Sequence, residues 1–258
     1  MILLTNDDGY RSPGLEVLYR AASSVFGKEV VAVAPEGPQS ASGMSFTFHK
    51  PLRIDHINHW RFPCFSVSGT PADCVLVSLF HIFKNKKIDL VLSGVNIGVN
   101  AGLDTIYSSG TISAALYSAI FRVKSMAFSK MLPDNHSEEK VKSDMKALYN
   151  PMCYILKRVK EHGIGKGIDM LNVNFPLKVN SKTEIMPVKA SRNVFNEAVT
   201  TRKDPHGRSY YWLSGSIKQV EERESDMYQL QHGKITITPV KLSVGEDELI
   251  YDVKRMLD

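Results

Sequence analysis

Ile2-Leu3-Leu4-Thr5-Asn6-Asp7-Asp8-Gly9 is the stretch that decides how this chain is read. A short apolar run ends in two adjacent carboxylates and a glycine. An apolar run of this length, closed by turn residues, is the pattern of a buried parallel strand. Open α/β sheets place their ligands at the C-terminal ends of such strands. Adjacent carboxylates repel, and burying them is costly unless a cation lies between them. Gly9 permits a tight turn that lets both side chains face one point. The stretch therefore reads as half of a divalent-metal site, against the plainer alternative of an acidic turn that opens a helix.

Working outward, the first half of the chain alternates strand-like and helix-like segments. Strands are expected at 2–5, 29–34, 89–92 and 125–129, and helices at 15–25, 72–83 (entered through Pro71) and 111–121. In the first helix the apolar residues fall at 15, 18, 21, 22 and 25, a helical period. This repetition implies right-handed βαβ units, hence an α/β, Rossmann-like, mostly parallel sheet with helices on both faces. Residues 44–54 alternate Phe46, Phe48, Leu52 and Ile54, which suits an antiparallel excursion. A Gly- and Asn-rich loop is expected over 93–109, a loop at 133–137, a longer helix at 141–162 with Pro151 as a kink or break, and a strand at 171–175.

The character changes after about residue 185. The turn signal Asp204-Pro205-His206-Gly207 precedes Tyr210-Tyr211-Trp212-Leu213, so 199–213 reads as a long hairpin. A strand is expected at 234–239 and a terminal helix at 246–257. The chain is read as one unit over 1–258, with a core of about 1–185 and a hairpin arm and C-terminal segment over 186–258. An isolated hairpin is marginal in water, so the arm is expected to pack on another subunit.

The bulk properties exclude several classes. The chain has 258 residues, 43% of them apolar, enough for a substantial core. A net charge of +5 suits anionic ligands without choosing between small molecules and nucleic acid. Cys64, Cys74 and Cys153 show no CxxC spacing, which argues against a disulfide framework or a thiolate zinc site. No secretory leader precedes the first strand, and the most apolar helical segment, 75–83, is too short to span a bilayer. A cytoplasmic protein with no membrane partner is expected.

Four polar loops would meet at the C-terminal edge of the sheet. They are Asn6-Asp7-Asp8-Gly9; the segment from Ala34 to Gly43, with Ser40; Ser93-Gly94-Val95-Asn96-Ile97-Gly98-Val99-Asn100; and Ser108-Ser109-Gly110-Thr111, directly before a helix. Two carboxylates, a hydroxyl and an amide oxygen form a hard, all-oxygen donor set suited to Mg²⁺ or Mn²⁺. Ser109-Gly110-Thr111 can offer the free N–H groups of a helix N-terminus to a phosphate, or be an ordinary N-cap. Other motifs fail. Gly163–Gly167 lacks P-loop spacing, Gly94, Gly98 and Gly102 do not form GxGxxG, and the acidic turn lacks the distal glutamate of an EF-hand. Asn6, two residues before Asp8, is a poor nucleophile for a phosphoaspartate enzyme.

In order along the chain, these motifs resemble the SurE (survival protein E) family of metal-dependent nucleoside monophosphate phosphatases. The matching stretches are Thr5–Gly9, Val33-Ala34-Pro35 with Gln39-Ser40 and Gly43-Met44-Ser45, Ser68–Val75, Ser93–Asn100, Tyr107–Thr111, Asp204–Arg208 with Tyr211-Trp212, and Ile235–Pro239. The resemblance implies that Asp7, Asp8, Ser40 and Asn96 ligate one divalent cation (Mg²⁺ or Mn²⁺) per subunit. It also implies dimers or tetramers that exchange C-terminal segments. Asp7, Asp8 and Asn96 are then the catalytic group, with Asp8 orienting or deprotonating a water. Asn6, Gly43, Asn96, Ser109, Gly110 and Thr111 form the phosphate- and substrate-binding set. The expected reaction is hydrolysis of nucleoside 5′- and 3′-monophosphates. A broader phosphatase or exopolyphosphatase with the same site is the first alternative. A non-catalytic nucleotide- or RNA-binding protein, motivated by Arg202, Lys203 and Arg208, is the second; no stable nucleic-acid partner is expected. Glu36-Gly37-Pro38-Gln39 and His206 depart from the charged or Arg residues that members often carry there.

Overall fold

The computed structural model describes residues 1–27, 29–133, 135–244 and 247–257. The elements run β1 (Ile2–Thr5), α1 (Pro13–Phe26), β2 (Val30–Pro35), β3 (Ile54–His56), β4 (Cys64–Val67), α2 (Pro71–Val77) with a π-helical turn over Ser78–Ile82, and β5 (Leu90–Ile97). They continue with α3 (Leu103–Ser108), α4 (Gly110–Ile120), β6 (Ser125–Lys130), α5 (Glu138–Ala147), α6 (Tyr149–His162), β7 (Met170–Phe175), β8 (Ile185–Pro187), β9 (Phe195–Lys203), β10 (Ser209–Ile217), α7 (Asp226–Gln231), β11 (Ile235–Val240) and α8 (Asp247–Leu257).

Nine strands form one sheet in the order β3-β4-β2-β1-β5-β6-β7-β11-β8. The six from β4 to β7 run parallel, and β3 and β11 pair antiparallel to their neighbours β4 and β7. The two faces of β1 explain its uninterrupted apolar sequence. Ile2 and Leu4 enter a core with α1 and α6, while Leu3 enters a second core with Cys74 and Val77 of α2. A strand covered on both faces needs no polar alternation. α1 begins where Ser12 caps the Gly14 N–H (3.2 Å) and Pro13 takes the first helical position, and it ends at Gly27 in the left-handed region.

The parallel α/β architecture agrees with the sequence reading, but several elements differ. The strand expected at 89–92 continues to Ile97, so the start of the expected loop, Ser93–Ile97, belongs to the sheet. It can do so because β6 runs alongside it, with a register shift between Ser93 and Asn96. Gly94, at φ 125°, lies in that irregularity, where a Cβ would come within 2.3 Å of the Phe128 carbonyl oxygen. α3 also occupies part of the expected loop. The helix expected at 141–162 is two helices joined at Leu148. Pro151 lies in the first turn of α6, where a missing N–H is tolerated, and does not kink it. The alternation at 44–54 is not a strand until Ile54. Phe46 instead packs in a ring cluster, tilted against Tyr117 at 4.6 Å and Phe48 at 5.8 Å between centroids. β4, β8 and α7 were not expected. The start of the terminal helix at Glu246 lies outside the described residues, and α8 is described from Asp247. The hairpin is longer than expected at both ends, pairing Phe195 with Ile217 and Lys203 with Ser209. β11 returns from the arm into the main sheet between β7 and β8.

Candidate active site

The chain winds outward from β1 through β2 to β4, then crosses back to β5 on the other side of β1. The strand order therefore reverses between β1 and β5. That is the switch point at which open sheets of this type leave a crevice for ligands. Asn6, Asp7 and Asp8 leave β1 at this point, and Asn96 lies at the end of β5. A hydrogen bond from the Ile97 N–H to Asp8 Oδ2 (3.2 Å) ties the two strand ends together across the reversal.

Asp7 is 5% exposed and Asn6 is fully buried. Among the described residues, neither Asp7 nor Asp8 has a lysine, arginine or histidine partner. Burial, followed by the neighbouring charge of Asp7, pushes Asp8 up to about 7; the Ile97 N–H opposes the rise. Asp7 is also raised by burial, against the Thr111 hydroxyl and main-chain N–H that stabilise its charged form. A buried and a half-buried carboxylate that resist ionisation side by side, with no counter-charge among the described residues, match the requirement of a divalent cation. The buried Asn6 Oδ1 and Ser42 Oγ lack hydrogen-bond partners and add uncommitted oxygen at the same place. The donor set thus fits a hard metal.

The remaining loops converge as follows. The Gln39 N–H donates to the Asp7 carbonyl (2.7 Å), and the Gly43 N–H to the Ser108 carbonyl (3.0 Å), so the loop after β2 bridges the acidic turn and the approach to α4. Thr47 and Thr70 secure that loop: Thr47 donates to Asp73 from both N–H (3.2 Å) and hydroxyl (2.6 Å), and the Thr70 hydroxyl donates to the Ser45 carbonyl (2.7 Å). Ser109 caps α4, accepting from the Ile112 N–H at 3.2 Å. Gly110 follows against Asp7, where an added Cβ would lie 3.0 Å from Asp7 Cβ and 2.6 Å from Ser42 Oγ. Only glycine lets the helix start this close. The Thr111 hydroxyl donates to Asp7 Oδ1. Asn96 donates its amide to the Gly98 carbonyl (3.0 Å), leaving its side-chain oxygen without a protein partner among the described residues.

Asn6, Asp7, Asp8, Gly43, Asn96, Ser109, Gly110 and Thr111 are thus drawn to one edge of the sheet. Ser40 is exposed, and no contact ties its hydroxyl to the carboxylates; the serine hydroxyl beside Gly110 and Asp7 is that of Ser42. Thr111 holds Asp7 with both its hydroxyl and its main-chain N–H. Sequence reasoning missed Ser42 and the Asp7–Thr111 bond. It also missed a buried amide network behind the site. There Asn100 receives from Asn172 (2.7 Å) and Asn174 (3.1 Å) at its carbonyl, donates its N–H to Asn174 (2.9 Å), and donates its side chain to Ser129 (2.9 Å). The signal available was the alternation Asn172-Val173-Asn174 inside an otherwise apolar strand, which places both amides on one face.

The model of the family described as Survival protein SurE matches residues 2–199. The chain belongs to the SurE family. That match takes in every loop of the acidic site and extends into β9. A protein named 5′-nucleotidase SurE from Methanothrix thermoacetophila is 38% identical over 93% of this chain and 92% of its own length. One of the same name from Thermofilum pendens is 40% identical over 94% and 90%. The crystal structure of the SurE protein from Aquifex aeolicus superposes with a TM-score of 0.82 at 33% identity, covering all of this chain and 99% of that one. The SurE likeness therefore includes the arm and the return of β11 into the sheet.

Proposed function

We propose that this chain is a 5′-nucleotidase that hydrolyses nucleoside 5′- and 3′-monophosphates to nucleoside and phosphate. It works with one Mg²⁺ or Mn²⁺ per subunit, held by Asp7, Asp8, Ser40 and Asn96. The observation that carries this reading is the adjacent pair of carboxylates, Asp7 buried and Asp8 half-buried, without a basic partner among the described residues, at the strand-order reversal beside the N-terminus of α4. The relatives named 5′-nucleotidase support the substrate class.

The bound cation supplies charge neutralisation at a phosphate oxygen and a water of lowered pKa. The protein's own groups do the rest. The phosphate lies against the first turn of α4, where the N–H groups and the positive end of the helix dipole favour an anion. Ser109, Gly110 and Thr111 form that turn, with Gly43, Asn6 and Asn96 around it. Thr111 fixes the Asp7 carboxylate. Asp8 orients the attacking water and accepts its proton.

The arm supports assembly of this chain with further copies, as a dimer or tetramer exchanging C-terminal segments. Tyr211, Trp212 and Leu213 on β10 are exposed, Leu213 at 87%, as are Met256 and Leu257 on α8. Apolar surface of this kind marks an interaction site. No helix of the described residues is long and apolar enough to cross a membrane, and the cytoplasm is the compartment we assign.

The test is phosphate release from AMP, GMP, 3′-AMP, a sugar phosphate and polyphosphate, with Mg²⁺, with Mn²⁺ and with EDTA. Metal-dependent turnover fastest on the nucleoside monophosphates is expected. Turnover that persists in EDTA, or that favours polyphosphate, would refute the assignment.

A further inference from the structure

A cavity of about 710 Å³ lies on the α1 face of the sheet, bounded by α1, α5, the start of α6 and the segment around Trp60. It contains neither carboxylate of the acidic pair, and nothing in the reaction uses it. Arg11, Arg20, Arg61, Lys142 and Lys146 line it, with Glu16 as the single acid. Glu16 is already engaged by Arg61 across the cavity. Lys142 has only a 3.8 Å contact with exposed Glu138. Arg11, Arg20 and Lys146 have no carboxylate partner among the described residues. By contrast, Lys140 on α5 pairs with Asp144 at 2.6 Å and Arg158 on α6 with Glu161 at 2.7 Å. Five cations thus share one cavity with a single acid, and like charges repel unless an anion joins them.

The lining is also aromatic. Trp60 and Tyr149 contribute to the wall, and Tyr10 packs edge-on against Trp60 with ring centroids 5.5 Å apart. The guanidinium of Arg20 lies 5.7 Å from the Tyr149 ring, that of Arg61 5.8 Å from Trp60, and that of Arg11 4.6 Å from Tyr10. Ring faces with planar cations beside them suit a ligand that carries both a flat base and a dense negative charge. The volume falls in the range of small-molecule sites, roughly 300–1,000 Å³.

We propose that this cavity binds a nucleoside polyphosphate, with the base against Trp60 and Tyr149 and the phosphates among Arg11, Arg20, Lys142 and Lys146. The site is separate from the acidic crevice. It also adjoins it, because Arg11 lies two residues beyond Gly9 of the acidic turn and Ser12 caps α1, which packs on β5.

The experiment reads Trp60 fluorescence in the full chain carrying Trp212→Phe, which leaves Trp60 as the sole tryptophan. A non-hydrolysable ATP analogue is titrated in EDTA, so the reading does not depend on metal-loaded hydrolysis. Saturable quenching is expected, at least tenfold weaker in the Arg20→Gln/Lys146→Gln variant and weakened by salt. That variant should keep its phosphate release from AMP, which shows that it folds. No saturable quenching up to millimolar analogue, or quenching unchanged in the variant, would overturn the proposal. Inorganic tripolyphosphate binding as tightly as the nucleotide would refute the role given to the base. A short single-stranded RNA binding more tightly than the analogue would replace the small-molecule assignment with a nucleic-acid one. Failure of the AMP assay with binding retained would leave this site standing and remove the hydrolase reading instead.

Discussion

Asp8→Asn should stabilise the metal-free protein while abolishing its hydrolysis. Burial and the adjacent Asp7 raise Asp8 from an ordinary 3.8 to about 7. Between those values the folded chain holds a proton that the unfolded chain has released, so stability falls as pH rises through this window, and above it the full penalty is present. About three pH units at about 1.4 kcal/mol each give a penalty of about 4 kcal/mol. Asparagine keeps the shape and an oxygen that accepts the Ile97 N–H, but never ionises. The variant in EDTA at pH 8 should therefore melt about 10 °C above the wild type, at roughly 2–4 °C per kcal/mol for a chain of this size. At pH 5 the gap should shrink to less than half. Saturating Mg²⁺ or Mn²⁺ should close it from the other side, by stabilising the wild type through binding. Scanning calorimetry at both pH values, with and without metal, measures each quantity. A variant no more stable than the wild type at pH 8, or a gap independent of pH, would refute the claim that an uncompensated buried charge resides at Asp8.

Thr111→Val removes the hydroxyl that holds Asp7. A hydrogen bond to a charged group is worth roughly 1.5–3 kcal/mol, so metal affinity should fall about 10- to 100-fold, read by titrating Mn²⁺ against phosphate release. Gly110→Ala places a methyl group 2.6 Å from Ser42 Oγ and 3.0 Å from Asp7 Cβ. A displacement of this kind near the reacting atoms should lower kcat/KM about 100-fold while circular dichroism stays unchanged. Lys130 is buried at the end of β6, where its ammonium donates to the carbonyls of Met131 (2.8 Å), Pro176 (2.7 Å) and Leu177 (2.9 Å). Burial lowers it from 10.5 to about 8, so between those values the unfolded chain binds the additional proton and stability rises with pH. Urea unfolding from pH 8 to 10 should show the wild type gaining up to about 1.4 kcal/mol per pH unit relative to Lys130→Met; parallel curves would refute it.

The parallel core was legible because its strands are buried on both faces and its helices on one, and each condition leaves its own period in the sequence. Ile2-Leu3-Leu4 and the spacing of Leu15, Leu18, Ala22 and Val25 are such traces. The acidic pair was legible for a different reason, since adjacent carboxylates after an apolar run have few structural uses. What could not be read was the strand order. The crossing from β4 to β5 that creates the switch point is a property of the whole sheet, and no local period encodes it. Ser42 was hidden for a similar reason: Ser40 and Ser42 are chemically alike, and only the bond from the Gly43 N–H to the Ser108 carbonyl directs one of them at α4.

The stretch from Ser93 to Asp104 spans the end of β5 and the turn into α3. By composition it is a loop, rich in glycine and asparagine, and composition argues for mobility. In the fold hydrogen bonds hold it at several points. Ile97 is held by Asp8, Asn100 by Asn172, Asn174 and Ser129, and the Gly102 N–H by Asp226 at 2.8 Å. Asp104, at the start of α3, in turn receives the Val194 N–H at 2.8 Å, at the base of the hairpin arm. Buried amides and carboxylates of this kind are costly unless all are satisfied, and satisfied networks fix one geometry. The residues that make the stretch look disordered are therefore those that immobilise it. Glycine admits the close approach to β6, and asparagine supplies donor and acceptor where the main chain has no strand partner. The metal ligation proposed for Asn96 needs that rigidity, since the oxygen it presents is placed only as well as the backbone that carries it.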